Sequence, residues 1–177
     1  MSDNTPWTFE TLCQASNREL ERVMRGGSAP PLDALAGWEF RGYNTGPVAE
    51  LIRSRKFKKG FEEEPGRTDR LMGYNVTVKQ NGRHAPWLPV MRRGEALRGF
   101  PFAVLPCPDG DRYPDGLLLD YALPGKLPRD PSYLLRDYMV QVSPDNPDLM
   151  LGKAYGAVGP LRVFVSYFVA ERYNRVL

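Results

Sequence analysis

With 177 residues, the chain is long enough for one domain with a sizeable core and too short for two of ordinary size. Apolar residues at 42% and charged residues at 25% exclude a disordered chain, and a net charge of +3 lacks the strongly basic stripe of a nucleic-acid binder. Two cysteines, Cys13 and Cys107, provide no disulfide framework, and no apolar stretch approaches the ~20 residues that span a bilayer. The N-terminus is polar, without a basic-then-apolar signal pattern, so the expectation is a cytoplasmic protein with no integral membrane segment.

The first predicted element is a helix. Thr5 is positioned to cap it, Pro6 suits its first turn, and Phe9, Leu12, Cys13, Ser16, Leu20, Val23 and Met24 fall on one stripe. Gly26-Gly27 ends it and Ser28-Ala-Pro-Pro31 is a stiff linker, so residues 1–31 read as an arm and 32–177 as the main body of one domain. The apolar stripe predicts that the helix packs across a barrel end or wall. Gly37-Trp38-Glu39-Phe40-Arg41 then alternates as a half-buried strand, and Val48–Ile52 reads as one or two helical turns. Lys56–Phe61 resumes the alternation, and Leu71–Gln80 runs into Asn81-Gly82, a strong hairpin signal that Trp87–Met91 answers.

Phe100–Leu105 and Leu117–Tyr121 are short strands either side of the turn-rich Pro106–Gly116, and Pro124–Pro131 is a loop. Leu134–Val142, Leu149–Ala157 and Leu161–Tyr173 form three strands in a row, joined by short connections that force antiparallel neighbours. The last strand carries apolar side chains on both faces and needs cover on both, which a closed interior and an outer neighbour supply. The fold class is therefore mainly β: an antiparallel up-and-down barrel of about eight to ten strands, with an N-terminal helix and a short helix after the first strand.

Gly37-Trp38 opening the first strand, the antiparallel meander, and Arg172 or Arg175 at the end of the last strand make the layout resemble the lipocalin-like (calycin) superfamily, and within it small bacterial domains of unassigned role. Glycine and tryptophan are adjacent here, whereas the superfamily motif separates them by one residue. The resemblance implies that Trp38 plugs one end of the barrel beneath a late-strand arginine, with Arg172 the candidate, so that function lies at the other end.

Candidate chemistry is sparse. His84 is the only histidine and lies beside a turn; two cysteines and one histidine are too scattered for metal ligation, so neither metal nor cofactor is expected. Asp120 and Asp137 each sit inside an apolar strand directly before a tyrosine, Tyr121 and Tyr138. A carboxylate pointing into a dry barrel would have a raised pKa and suit proton transfer; the plain alternative is that both face solvent. Arg136 shares a face with Tyr138, and Lys153 and Tyr155 share one with Leu149 and Leu151. Together with Tyr167 these are the expected anchors for a ligand with a polar or anionic end. The basic run Arg53–Lys59 would meet an anionic lipid surface peripherally, although Glu62-Glu63-Glu64 offers internal neutralisation and a solvated face.

Three functions fit these residues. The leading expectation is a binding protein for a small apolar or amphipathic ligand. The second is an enzyme on the same barrel, catalysing isomerisation, cyclisation or decarboxylation without cofactor through Asp120, Tyr121, Asp137 or Tyr138. The third is a filled barrel that binds a protein partner. A cavity above roughly 300 Å³ supports the first two. A buried carboxylate within reach of a tyrosine inside it favours the enzyme. The sequence leaves the oligomeric state open.

Overall fold

The computed structural model describes residues 6–47, 49, 54–124 and 131–176. Its elements are α1 (Phe9–Gln14), α2 (Asn17–Gly26), α3 (Leu32–Leu35), β1 (Trp38–Asn44), β2 (Lys56–Glu63), β3 (Leu71–Thr77), β4 (Met91–Arg92), β5 (Glu95–Ala96), β6 (Arg98–Pro106), β7 (Leu117–Asp120), β8 (Leu135–Ser143), β9 (Asn146–Val158) and β10 (Leu161–Arg175). Eight of these strands close a barrel in the order β1-β10-β9-β8-β7-β6-β3-β2, with every neighbouring pair antiparallel. The mainly β, up-and-down barrel predicted from alternation and short connections is therefore the observed fold. β4 and β5 stand outside it as a hairpin, turned by Arg93 and Gly94, both with positive φ.

The expected N-terminal helix is present but divided. Ser16, predicted on the helical stripe, instead caps α2: its hydroxyl accepts from the Glu19 backbone N–H, while the Glu19 carboxylate accepts from the Ser16 N–H at 2.8 Å. Such a reciprocal box satisfies two donors that a helix start leaves open, so a new helix begins there. Thr8 caps α1 in the same way with Thr11, in place of the predicted Thr5, which lies outside the described residues. Pro47 and Ala49 have helical backbone after β1; of the predicted helical stretch 48–52 only Ala49 is described, and most of the predicted loop 124–131 also lies outside.

Two apolar layers follow from the two faces of the wall. Phe40, Phe61, Phe102, Leu117, Leu119, Met139, Met150 and Phe168 fill the interior, and Leu35 of α3 joins them at the end where β1 starts. Phe9 and Leu12 of α1 and Leu20 and Met24 of α2 cover an outer layer that contains Tyr138, Val140, Leu149, Leu151, Tyr155, Tyr167 and Val169. Along β10 the parity changes at a bulge between Phe164 and Ser166, so that Ser166, Phe168 and Ala170 turn inward beyond it. Gly152 on β9 makes room for this arrangement: a Cβ there would collide with the Phe168 ring.

The closed end is built around Gly37, whose φ of +74° favours glycine and lets the chain enter β1. The Arg175 guanidinium lies 3.9 Å from the Trp38 ring centre and that of Arg172 4.7 Å from it. Arg172 also donates to the Ala34 carbonyl at 3.0 Å and pairs with Asp148 at 2.7 Å. Cation–π contact, ion pairing and hydrogen bonding together tie the last strand to β1, β9 and α3.

α2 is held to the wall by a polar clamp. Glu21 accepts from Lys153 Nζ at 2.6 Å, from the Tyr167 hydroxyl at 2.7 Å and from the Tyr113 hydroxyl at 2.9 Å. Burial pushes the Glu21 carboxyl up, but the hydrogen bonds from Lys153, Tyr167 and Tyr113 outweigh it and hold the group at about 2. Because the folded value lies below the ordinary 4.5, this stabilisation is complete above pH 4.5 and fades as pH falls towards 2. Glu21→Gln is therefore expected to cost about 1–3 kcal/mol in urea denaturation at pH 7. The gap between variant and parent should narrow across that acid window; a gap independent of pH would contradict the clamp.

Candidate functional site

β1, β3, β7 and β9 run in one sense and β2, β6, β8 and β10 in the other, so the barrel has two distinct ends. One is closed by Leu35, Trp38 and the late arginines. The other is bordered by the connections β1–β2, β3–β6 and β7–β8 and by the β9–β10 turn. Near this second end lies a cavity of about 340 Å³, bordered by Phe57, Leu135, Ala154, Val165, Phe168 and, at the rim, Phe100. Phe100 has a φ of +51°, a conformation that bulky residues rarely adopt, and it remains about half exposed.

The polar groups of the cavity come from opposite walls. In the eight-strand ring, β2 and β8 stand four places apart, so Lys59 on β2 reaches across the interior towards Asp137 on β8. Lys59 Nζ donates to the Tyr121 hydroxyl oxygen at 2.6 Å, to Asn75 Oδ1 at 3.0 Å and to Asp137 Oδ2 at 3.5 Å. Tyr121, just after β7, donates to Asp137 Oδ2 at 3.2 Å, and Asn75 Nδ2 lies 3.2 Å from the same phenol oxygen. Lys59 and Asn75 are direct cross-strand partners. The rings of Phe102, Phe168 and Phe57 surround the ammonium, with centres 4.7, 5.0 and 5.4 Å from Nζ.

Water is excluded from this cluster: the side chains of Lys59 and Asp137 are 3% and 6% exposed. Burial therefore favours the neutral form of each. It lowers the Lys59 pKa against the pull of Asp137, and raises that of Asp137 against the charge of Lys59 and the Tyr121 hydrogen bond. Burial and then the Asp137 charge push Tyr121 well above the ordinary phenol value. Asp137 borders the cavity, and its Oδ1 is buried with no hydrogen-bond partner among the described residues. A lone acceptor in an apolar cavity is a place where a ligand can donate a hydrogen bond or give up a proton.

The structure brings together two of the four acid–base residues singled out in the sequence. Asp137 and Tyr121 meet inside the barrel. Asp120 faces away and pairs with Arg136 at 3.1 Å, while the Tyr138 hydroxyl donates to Asp111 at 2.9 Å. The five expected ligand anchors lie on the other face of the wall. Tyr138, Tyr155 and Tyr167 are in the layer beneath α1 and α2, Lys153 belongs to the Glu21 clamp, and Arg136 is held by Asp120 and by backbone carbonyls. They do not border the cavity, so no ligand held there meets them.

The basic run is also committed internally. Lys56 Nζ donates to oxygens of Asn81, Gly82, Ala85 and Pro86, and Lys58 pairs with Glu39 at 3.1 Å, so neither presents its charge to a lipid surface; Arg53 lies outside the described residues. His84 is exposed, and Cys13 and Cys107 are free thiols that burial pushes up to about 12. Among the described residues no three His, Cys, Asp or Glu side chains converge on a point where they could hold a metal ion. No helix among them is long and apolar enough to cross a membrane.

The sequence singles out Lys59 only as the end of the basic run and Asn75 not at all. The signal that places Lys59 inside is period two: Phe57, Lys59 and Phe61 share a face, opposite Lys56 and Lys58. In comparisons with known proteins, no family model matches the chain, and no curated protein or solved structure matches it.

Lys59→Met should destabilise the protein by about 3–5 kcal/mol, because it leaves the Asp137 carboxyl buried without its cation. The double variant Lys59→Met/Asp137→Leu should cost less than Lys59→Met alone in urea denaturation. Additive costs would contradict a coupled pair.

Proposed function

We propose that the chain is an enzyme that moves a proton on a small, largely apolar substrate held in the open half of the barrel. One observation carries this reading: Asp137 borders a cavity of about 340 Å³, buried beside Tyr121 and Lys59 with one carboxylate oxygen unpartnered. A desolvated carboxylate is a stronger base than one in water, and its raised pKa lies nearer the pH at which it must both accept and release a proton. Asp137 is the base. The Tyr121 hydroxyl and the Lys59 amine supply hydrogen bonds to negative charge that develops when the proton leaves carbon.

The apolar border of the cavity suits a body without charge, and the polar cluster orients its reacting end. Isomerisation of an unsaturated ketone, cyclisation and decarboxylation share the step that this site supports, a carbanion or enolate flanked by donors. A second reading, a carrier for an apolar or amphipathic ligand, is favoured by the same aromatic border of Phe57, Phe100 and Phe168. In that case Asp137 anchors a donor group on the ligand and no chemistry follows.

Cyclohexanone in D2O separates the two, with exchange of its α-protons followed by NMR. The parent protein should accelerate exchange over buffer, and Asp137→Asn should lower that rate roughly 10²–10⁴-fold. The rate should rise with pH through an apparent pKa above the ordinary aspartate range, because only the ionised carboxylate accepts the proton. A small molecule retained in native mass spectrometry, with no exchange in the parent protein, is the outcome that selects the carrier.

A further inference from the structure

We propose that the ε-amine of Lys59 is a nucleophile that captures an aldehyde or ketone as an imine, which makes small apolar carbonyl compounds the substrate class of the cavity. This inference rests on the cavity being a substrate site and assigns Lys59 a covalent role there.

Geometry selects this lysine. Lys59 borders the cavity, and its Nζ lies beside the Phe102 and Phe168 rings of the filled core. The two nearer oxygens around it are neutral, the Tyr121 phenol at 2.6 Å and the Asn75 amide at 3.0 Å, whereas Asp137 Oδ2 is the farthest at 3.5 Å. Neutral acceptors hold an amine in either protonation state, and three surrounding phenylalanine rings replace the water that would stabilise its charge. Other lysines are placed differently. Lys56 also borders the cavity, but four oxygens of the 81–86 segment hold its Nζ. Lys58 is tied to Glu39 and Asn174, and Lys153 to Glu21 and Tyr113.

The step balances within the residues present. The neutral Nζ lone pair forms a bond to the carbonyl carbon as the C=O π pair moves to oxygen. That oxygen takes a proton from the Tyr121 hydroxyl, and the phenolate is reprotonated from the new N–H by way of Asp137. The Asp137 carboxyl, which starts protonated beside the neutral amine, then protonates the carbinolamine hydroxyl, which leaves as water. C=N forms as an iminium opposite the Asp137 carboxylate, and return of the N–H proton to Asp137 gives the imine. Carbonyl plus amine gives imine plus water, with no change in oxidation state, and hydrolysis returns both. While the imine is protonated it withdraws electrons from the neighbouring carbon, so its C–H is acidified next to the Asp137 base.

The test uses the full chain with 3-phenylpropanal and sodium cyanoborohydride, which reduces an iminium to a stable amine, followed by peptide mass mapping of each lysine. In the native protein Lys59 should be labelled about tenfold or more faster than exposed Lys79, because the cavity holds the carbonyl against its amine. The preference should vanish in urea, and Asp137→Asn should slow labelling at Lys59 without changing that of Lys79. Labelling of Lys59 no faster than that of Lys79 in the native parent overturns the imine. If cyclohexanone exchange still depends on Asp137 in that case, the proton-transfer reading stands without it. Conversely, selective labelling of Lys59 with no Asp137-dependent exchange upholds the imine and overturns Asp137 as the base towards carbon.

Discussion

Lys59 and Asp137 face each other from opposite walls of an eight-strand ring, and the interior divides where they meet. Towards the closed end, aromatic and aliphatic side chains pack as a core; towards the other end lies the cavity. A charge or strong dipole buried at that depth demands partners, because leaving it alone costs several kcal/mol. Tyr121 and Asn75 answer the demand from two further strands or strand ends. Four elements are thereby fixed relative to one another by one set of hydrogen bonds, and the side chains that meet a ligand are held before it arrives.

Closure makes this possible. The pairing of β1 with β10, from Trp38 opposite Arg175 to Asn44 opposite Phe168, removes the edges of the sheet and keeps water from the wall. The arm composed of α1 and α2 covers the outer apolar layer of β8, β9 and β10, which would otherwise be an exposed hydrophobic patch. Glu21 and Lys153 are thus the outer counterpart of Asp137 and Lys59. Each pair sets a lysine beside a tyrosine hydroxyl, Tyr113 outside and Tyr121 within, but the outer carboxylate accepts from Lys153, Tyr113 and Tyr167 and holds an arm, whereas the inner one keeps an oxygen unpartnered.

Much of the architecture was legible in the sequence because strand alternation and short connections are local signals. The meander from Leu135 to Arg175 followed from them directly, whereas the expected Asn81-Gly82 hairpin is only a bridge between Val78 and Pro89 across a wider loop, because β3 ends at Thr77 and pairs with β6. Alternation shows which residues share a face without showing which face is the interior. On β8 and β9 both faces are apolar, since one lines the barrel and the other lies under the arm. Alternation alone therefore assigns Tyr138, Lys153 and Tyr155 to a pocket, whereas they lie on the outer face under the arm. Asp137, flagged for its apolar neighbours, did turn inward with Tyr121. Lys59 was hidden by its company: within a run of cations only the period of two separates it from Lys56 and Lys58. Asn75 carries no local signal at all, since its role appears only when β3 pairs with β2.

The central feature of the site is a buried carboxyl coupled to a buried amine. Carbon-13 NMR of the Asp137 side-chain carboxyl, followed through a pH titration, reads that coupling at the atom concerned. The structure predicts a midpoint above the ordinary aspartate value, and one that climbs further in Lys59→Met, because the lysine charge is what pulls it down against burial. A midpoint near the ordinary value of ~3.9, unmoved by loss of Lys59, would contradict a dry interior and the pairing on which the proposed chemistry depends.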